Sequence, residues 1–268
     1  MNTSQTNNTD SRLSKLSQLF VDHINNKEFP CVAARSSVHA GNIAFYEATH
    51  MACPHDDQNI LNFLYCFIDD YRNQELIEKH DAIAKHDAIK KHDTIEKHDT
   101  IEKHNNKDDY RKKRDSFCSA VVIFEAPEQI TEEHFEIFLW KRLQALHDLD
   151  KKKYNYDSRV DNDPHSDKFS FSIKEEAFFI IGMHSGSSRL ARRFQNPAIV
   201  FNPHAQFEKI KSENKYEKIK AIVRKRDERV SGSINPMLAD FGERSESFQY
   251  SGKSYDPTWQ CPLNTNHD

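Results

Sequence analysis

Residues 177 to 207, AFFIIGMHSGSSRLARRFQNPAIVFNPHAQF, constrain the fold more than any other part of the chain. Two runs of aromatic and β-branched residues, AFFIIGM and AIVFN, have the composition of buried strands. Between them lie a Gly/Ser turn and a basic segment, SSRLARRF, which predicts the start of a helix. The second strand runs directly into another predicted helix at His204. His184 and His204 therefore stand at strand-to-loop junctions, where rigid elements present functional groups. Arg189, Arg192 and Arg193 lie between them.

The rest of the chain extends this pattern. Leu13, Leu16, Leu19, Phe20 and Ile24 recur at helical spacing and predict an amphipathic helix over about 11–26, after a polar N-terminus (1–10) expected to be disordered. FPCVAA follows, in which Pro30 disfavours helix at Phe29 and CVAA reads as a short buried segment. Residues 57–78 predict a helix with Ile60, Phe63, Leu64 and Phe67 on one face. SFCSAVVIFEAP reads as a strand ended by Pro127. Thr131 then caps a helix whose first turn carries Glu132 and Glu133, favourable to the helix dipole. FSFSI (169–173) and EAFFIIGM (176–183) predict a hairpin, and residues after His204 predict one or two helices. The tail keeps Met237, Leu238, Phe241, Phe248, Tyr250 and Trp259, so it is expected to wrap the core as an ordered loop. The order, helices followed by β-α-β-β-α-β-α-α, predicts an α+β single domain with a mainly antiparallel sheet and helices packed on one face.

At 268 residues the chain can bury a sizeable core. A net charge of −4 with nearly balanced acids and bases leaves no footprint for nucleic acid or an anionic membrane. No apolar run approaches the roughly 20 residues needed to span a bilayer, and the N-terminus has no hydrophobic signal segment. Five scattered cysteines without a CxxC pair fit reduced thiols, so a cytoplasmic location is expected. The dinucleotide, P-loop, nucleophile-elbow and zincin motifs are missing.

One segment departs from all of this. From Glu78 to Lys103 a six-residue unit of the type EKHDTI repeats in tandem, placing His80, His86, His92, His98 and His104 at intervals of six. On a helix, successive copies step by about 120° around the axis, so neither the isoleucines nor the histidines form a stripe. The segment 78–107 therefore reads as a low-complexity His-rich insertion in a domain spanning 11–268. Its alternative is a metal-binding tract.

Several unusual words in one order resemble the YqcI/YcgG family: FPCVAA, HFEIFLWKRLQALHDLD, FFIIGMHSGSSRLARRF, IVFNPHAQFE, VRKRD, GSINPML and ERSESFQYSG followed by W-x-CP. The resemblance covers roughly residues 10–76 and 115–263. It implies haem b as cofactor and N-hydroxylation of arginine or a related small guanidine compound, with O2 and an external electron donor. The alternative within the family is a haem-binding or sensing protein without turnover. The resemblance leaves the oligomeric state open.

The residues themselves are compatible with such a site. Haem iron takes an axial His, Cys, Met or Tyr. His204 and His184 are the first candidates, His147 on the long helix the third, and Cys31 of FPCVAA the thiolate alternative, which would favour O–O cleavage. Arg189, Arg192 and Arg193 suit the two propionates, since guanidinium pairs with carboxylate through two parallel hydrogen bonds. Ser187 and Ser188 are placed to cap the following helix and offer backbone N–H groups to an anion. Glu136, Asp150 and Glu246 are candidate acids for a cationic guanidine. Asn202 and Gln206 flank His204 and are candidates for positioning oxygen or orienting the imidazole.

Overall fold

In a computed structural model of the chain, described over residues 13–92 and 117–266, five strands form one sheet in the order β1-β2-β5-β4-β3. The elements in chain order are α1 (Lys15–Asn25), α2 (Val32–His39), β1 (Ile43–His50), α3 (Asp57–His92), β2 (Ser119–Ala126), α4 (Glu132–Asp150), β3 (Phe171–Ile173), β4 (Glu176–Met183), β5 (Ala198–Pro203), α5 (His204–Ser212), α6 (Tyr216–Ser231) and α7 (Ser247–Tyr250). β1 pairs parallel to β2, with Ile43 opposite Ser119. The remaining pairings, β2 with β5, β5 with β4 and β4 with β3, are antiparallel. The fold is α+β with a mainly antiparallel sheet, as the order of elements predicts.

Two local expectations are revised, and one strand is added. CVAA is not an isolated buried segment but the start of α2, with Cys31 as N-cap: its thiol accepts from the Ala34 N–H at 3.4 Å. NIAFYEATH carries no clean alternation, because β1 is an edge strand with mostly half-buried residues. SSRLARRF does not start a helix; only one 3-10 turn forms at Leu190–Arg192. There the guanidinium groups turn to buried acceptors elsewhere, Arg189 to Asp227 Oδ2 at 2.6 Å and Arg192 to the Gly182 carbonyl at 3.1 Å.

Helices cover both faces of the sheet rather than one. Ala120, Val122 and Phe124 of β2 join Phe178, Ile180, Ile199 and Phe201 in a core against α3, α4, α7 and the tail. Val121 and Ile123, on the alternate face, join Met183, Val200 and the α1 residues Phe20 and Ile24. Strand residues alternate between faces, so each of these strands feeds two cores.

The long helices form where capping and periodicity predict. Thr131 caps α4 by accepting from the His134 N–H at 3.3 Å. The β3–β4 hairpin turns through Lys174 and Glu175, both at positive φ. Asp150 accepts the Lys174 N–H and Arg72 donates to both turn carbonyls, which holds this unfavourable backbone in place. α3 continues as helix to His92, so the first repeat units extend it. Their side chains, the remainder of the 78–107 segment and the N-terminal residues 1–10 lie outside the described residues, so the insertion and its histidines are not tested.

Gly182 explains part of the GMHSGSS word. A Cβ there would lie 2.6 Å from the Phe135 ring and 2.8 Å from the Tyr250 carbonyl. The glycine lets α4 and α7 settle directly on β4. Gly182→Ala is expected to cost ~1–3 kcal/mol through overpacking, read as a lower urea midpoint with an unchanged slope.

Candidate functional site

The α1/α2 side of the sheet is not filled. It holds an open-mouthed cavity of about 290 Å³, at the lower end of the ~300–1,000 Å³ of ordinary small-molecule pockets. Its floor is Val121, Ile181, Met183 and Val200, and its roof includes Phe20 and Ile24 of α1. The helices over this face leave an apolar slot with polar groups at two ends.

At one end stands Cys31, half-buried, at the N-terminus of α2. Burial raises its thiol pKa, while the Ala34 and Ala33 N–H groups and the charges of Arg192 and Arg35 act in the opposite sense. Arg192 is beside it. Its guanidinium donates to the carbonyls of Gly182 (3.1 Å) and Gln249 (3.2 Å). Desolvation lowers its pKa to about 10.

At the other end His204 begins α5. It is 5% exposed, with Nε2 3.6 Å from Glu246 Oε1 and Nδ1 3.8 Å from Glu208 Oε1. These are electrostatic contacts, longer than hydrogen bonds. Burial lowers the His204 pKa. Glu246 is equally buried and accepts from Ser170 Oγ at 2.8 Å. Desolvation pushes its carboxyl up to about 8. In the sheet register Phe178 faces Pro203, so four residues of β4 separate this end from Gly182. That is roughly 13 Å of strand.

Burial of Glu246 has a measurable cost. Its folded pKa lies above its unfolded value, so between about pH 4.5 and 8 the folded state holds a proton that the unfolded state has released. Stability is therefore expected to fall as pH rises through that window, by up to ~1.4 kcal/mol per pH unit from this group. Glu246→Gln should flatten that part of a urea-denaturation pH series.

The structure divides the residues selected from sequence. Cys31, Asn202, His204, Arg189, Arg192 and Glu246 line the cavity. His184 lies on the opposite face of β4, on the Gly182 side, stacked on Phe135 with ring centroids 4.2 Å apart, and burial lowers its pKa to about 4. His147 is buried in that same opposite core, beside Tyr156. Glu136 binds Lys253 Nζ (2.9 Å) and Trp259 Nε1 (3.2 Å), which pins the tail to α4. Asp150 is committed to the hairpin turn. Gln206 braces the Cys118 backbone through its N–H and carbonyl. Asn202 accepts from Ser119 Oγ and donates to the Phe179 carbonyl.

The other basic and hydroxyl candidates also have structural partners. Arg189 is paired with Asp227. Arg193 is exposed and donates to the Ser187 carbonyl. Ser188 gives both its N–H and its hydroxyl to Glu132 Oε1, so it ties its loop to the start of α4.

Among the described residues no group of three or more His, Cys, Asp or Glu side chains converges as a metal cluster. What the cavity offers an iron is single side chains, the number that a porphyrin-bound iron needs from a protein. The donor chemistry fits haem. A sulfur at a helix N-terminus receives backbone N–H groups, the slot is apolar, and among the described residues the guanidinium beside the sulfur has no carboxylate at ion-pair distance.

The fold and cavity define an α+β protein with an apolar slot on one face of a five-stranded sheet. Residues 78–264 match the YqcI/YcgG family, and the chain belongs to that family. The match takes in the hexapeptide segment, which sequence reading treats as an insertion, and begins after Cys31. A Bacillus subtilis (strain 168) protein described as "Uncharacterized protein YcgG" is 27% identical over 133 residues, 47% of this chain and 52% of that protein. The matched part thus spans about half the length of that relative. No solved structure matches. Among the described residues no helix is long and apolar enough to cross a membrane.

Proposed function

We propose that the cavity holds haem b and that the protein is an O2-dependent N-hydroxylase acting on arginine or a related guanidine, fed by an external electron donor. The observation that carries this reading is the pairing of Cys31 with an apolar slot whose far end holds Glu246. Among the described lining residues, Glu246 is the carboxylate without a Lys or Arg at ion-pair distance, since Asp227 is taken by Arg189 and Asp240 by Lys220 and Arg224.

Bound haem would supply oxygen activation, and a thiolate ligand favours O–O cleavage. The protein's own residues do the remainder. Cys31 would hold the iron through its sulfur, with the α2 N–H groups and the Arg192 charge opposing the burial that raises its thiol pKa. Burial of Glu246 keeps its carboxyl protonated at neutral pH until a cation arrives. A guanidinium would then draw it into a charge-assisted pair. Ser170 fixes one Glu246 oxygen and leaves the other toward His204, which orients the acid and can hold a proton at Nε2.

Protein produced with haem supplied should show a Soret band that shifts when arginine is added and should form N-hydroxyarginine under reducing conditions with O2. A haem spectrum indifferent to guanidines, with no product, would instead select a haem-binding protein without turnover. Failure to take up haem at all sinks both.

A further inference from the structure

The cavity carries an unmatched cation. Arg189 and Arg192 both line it, yet only Arg189 has a carboxylate, Asp227, at 2.6 Å. The Arg192 guanidinium meets two backbone carbonyls, and no acid among the described residues lies within ion-pair distance. The residue is half-buried; drawing a guanidinium even partly out of water without an anion in contact is costly, and that desolvation lowers its pKa although Asp227, beyond ion-pair distance, acts in the opposite sense. The side chain is nevertheless held in place. Its stem packs on Gly252, where an added Cβ would stand 3.3 Å from Arg192 Cγ and where φ is +85°. The carbonyls of β4 and α7 hold the head on the other side. The result is a charged fork held beside Cys31 on an apolar slot.

We propose that Arg192 is the carboxylate receptor of the cavity, the residue that takes the acid group of whatever apolar or amino-acid ligand fills it. Arg193 and Arg189 do not share that role, the first being outside the lining and the second already neutralised. The inference rests on the haem reading only in part, because the carboxylate has two possible sources: a propionate of the cofactor or the α-carboxylate of an amino-acid substrate.

Two titrations on the full-length protein separate these sources. Haem and its dimethyl ester are titrated by quenching of tryptophan fluorescence, and arginine and agmatine, which lacks the carboxylate, by calorimetry. If Arg192 receives a propionate, wild-type protein should bind haem about 10- to 100-fold tighter than the diester. If it receives the substrate, arginine should exceed agmatine by a similar factor. In either case Arg192→Gln should erase the discrimination, Arg192→Lys should keep part of it through charge alone, and Arg193→Gln should leave it intact. The ester and agmatine arms need no variant, so misfolding of Arg192→Gln cannot obscure the result. Haem failing to bind while arginine is still preferred removes the cofactor assignment and leaves the receptor standing. Equal binding within both pairs by the wild-type protein overturns the inference.

Discussion

Cys31→Ala is expected to abolish stable haem uptake and, with it, the red-shifted ferrous–CO Soret band of a thiolate-ligated haem. His204→Ala should retain haem and lose the arginine-induced shift. The reason is placement. Of the four ligand candidates read from sequence, His184 and His147 belong to the core on the far side of the sheet. Reaching the cavity would require them to pass through β4 and β5. His204 does line the cavity, but it stands between two acidic side chains, Glu246 and Glu208. That setting suits an imidazole that holds and passes a proton. Cys31 alone has the features of an iron-binding sulfur: helix N-terminus, backbone N–H donors, nearby guanidinium charge and an apolar slot in front of it. His184→Ala and His147→Ala should keep the haem spectrum of the wild type. Spectra of the four single variants, taken after equal haem loading, check this. Haem retained by Cys31→Ala and lost by His204→Ala would move the ligand to the histidine.

The second large effect concerns stability. Arg142→Met is expected to destabilise the fold by ~3–5 kcal/mol, because it strands a buried carboxylate. Arg142 of α4 donates through Nη1 to Asp57 Oδ1 at 2.6 Å and to the Cys53 carbonyl at 2.7 Å. The two side chains are 6% and 8% exposed. This pair fastens α4 to the first turn of α3, and the α3/α4 layer is the cover of the larger core. Without the guanidinium, the desolvation that already raises the Asp57 pKa acts unopposed. The double variant Asp57→Asn/Arg142→Met should recover most of the loss, since removing both charges leaves no buried ion. Urea denaturation of the two single variants and the double variant gives the coupling directly. A single variant costing less than ~1 kcal/mol would show that the pair is not what joins the helices.

Much of this architecture is legible from local pattern. The apolar runs of β2, β4 and β5, the Thr131 cap of α4 and the hairpin before β4 depend on residues within a few positions of one another. Such signals survive without knowledge of the rest of the chain. β1 escaped notice because an edge strand half-covered by helices does not need strict alternation. α2 escaped because its N-cap is a cysteine, whose thiol is a weak acceptor and not among the side chains that mark a helix start. The basic turn before β5 looked helical, since nothing nearby reveals that Arg189 is claimed by Asp227 thirty-eight residues on.

The candidate site was legible as a set of residue types and not as a place. The words carrying His204, Arg192, Cys31 and Glu246 identify the family and name the chemistry available. They do not say which of them meet. Met183 and His184 are neighbours in sequence, yet one faces the cavity and the other packs in the opposite core, because successive strand residues point to opposite faces. Which face carries the cavity depends on which helices fill their side. α3 and α4 close one face through Leu61, Leu64, Leu139 and Leu143, whereas the helices over the other leave a slot. By itself, then, the sequence determined four of the five strands, the long helices and the family. Only the tertiary structure decided that Cys31, Arg192, His204 and Glu246 share one cavity while His184 and His147 do not, since facing is a property of packed layers and not of any local stretch.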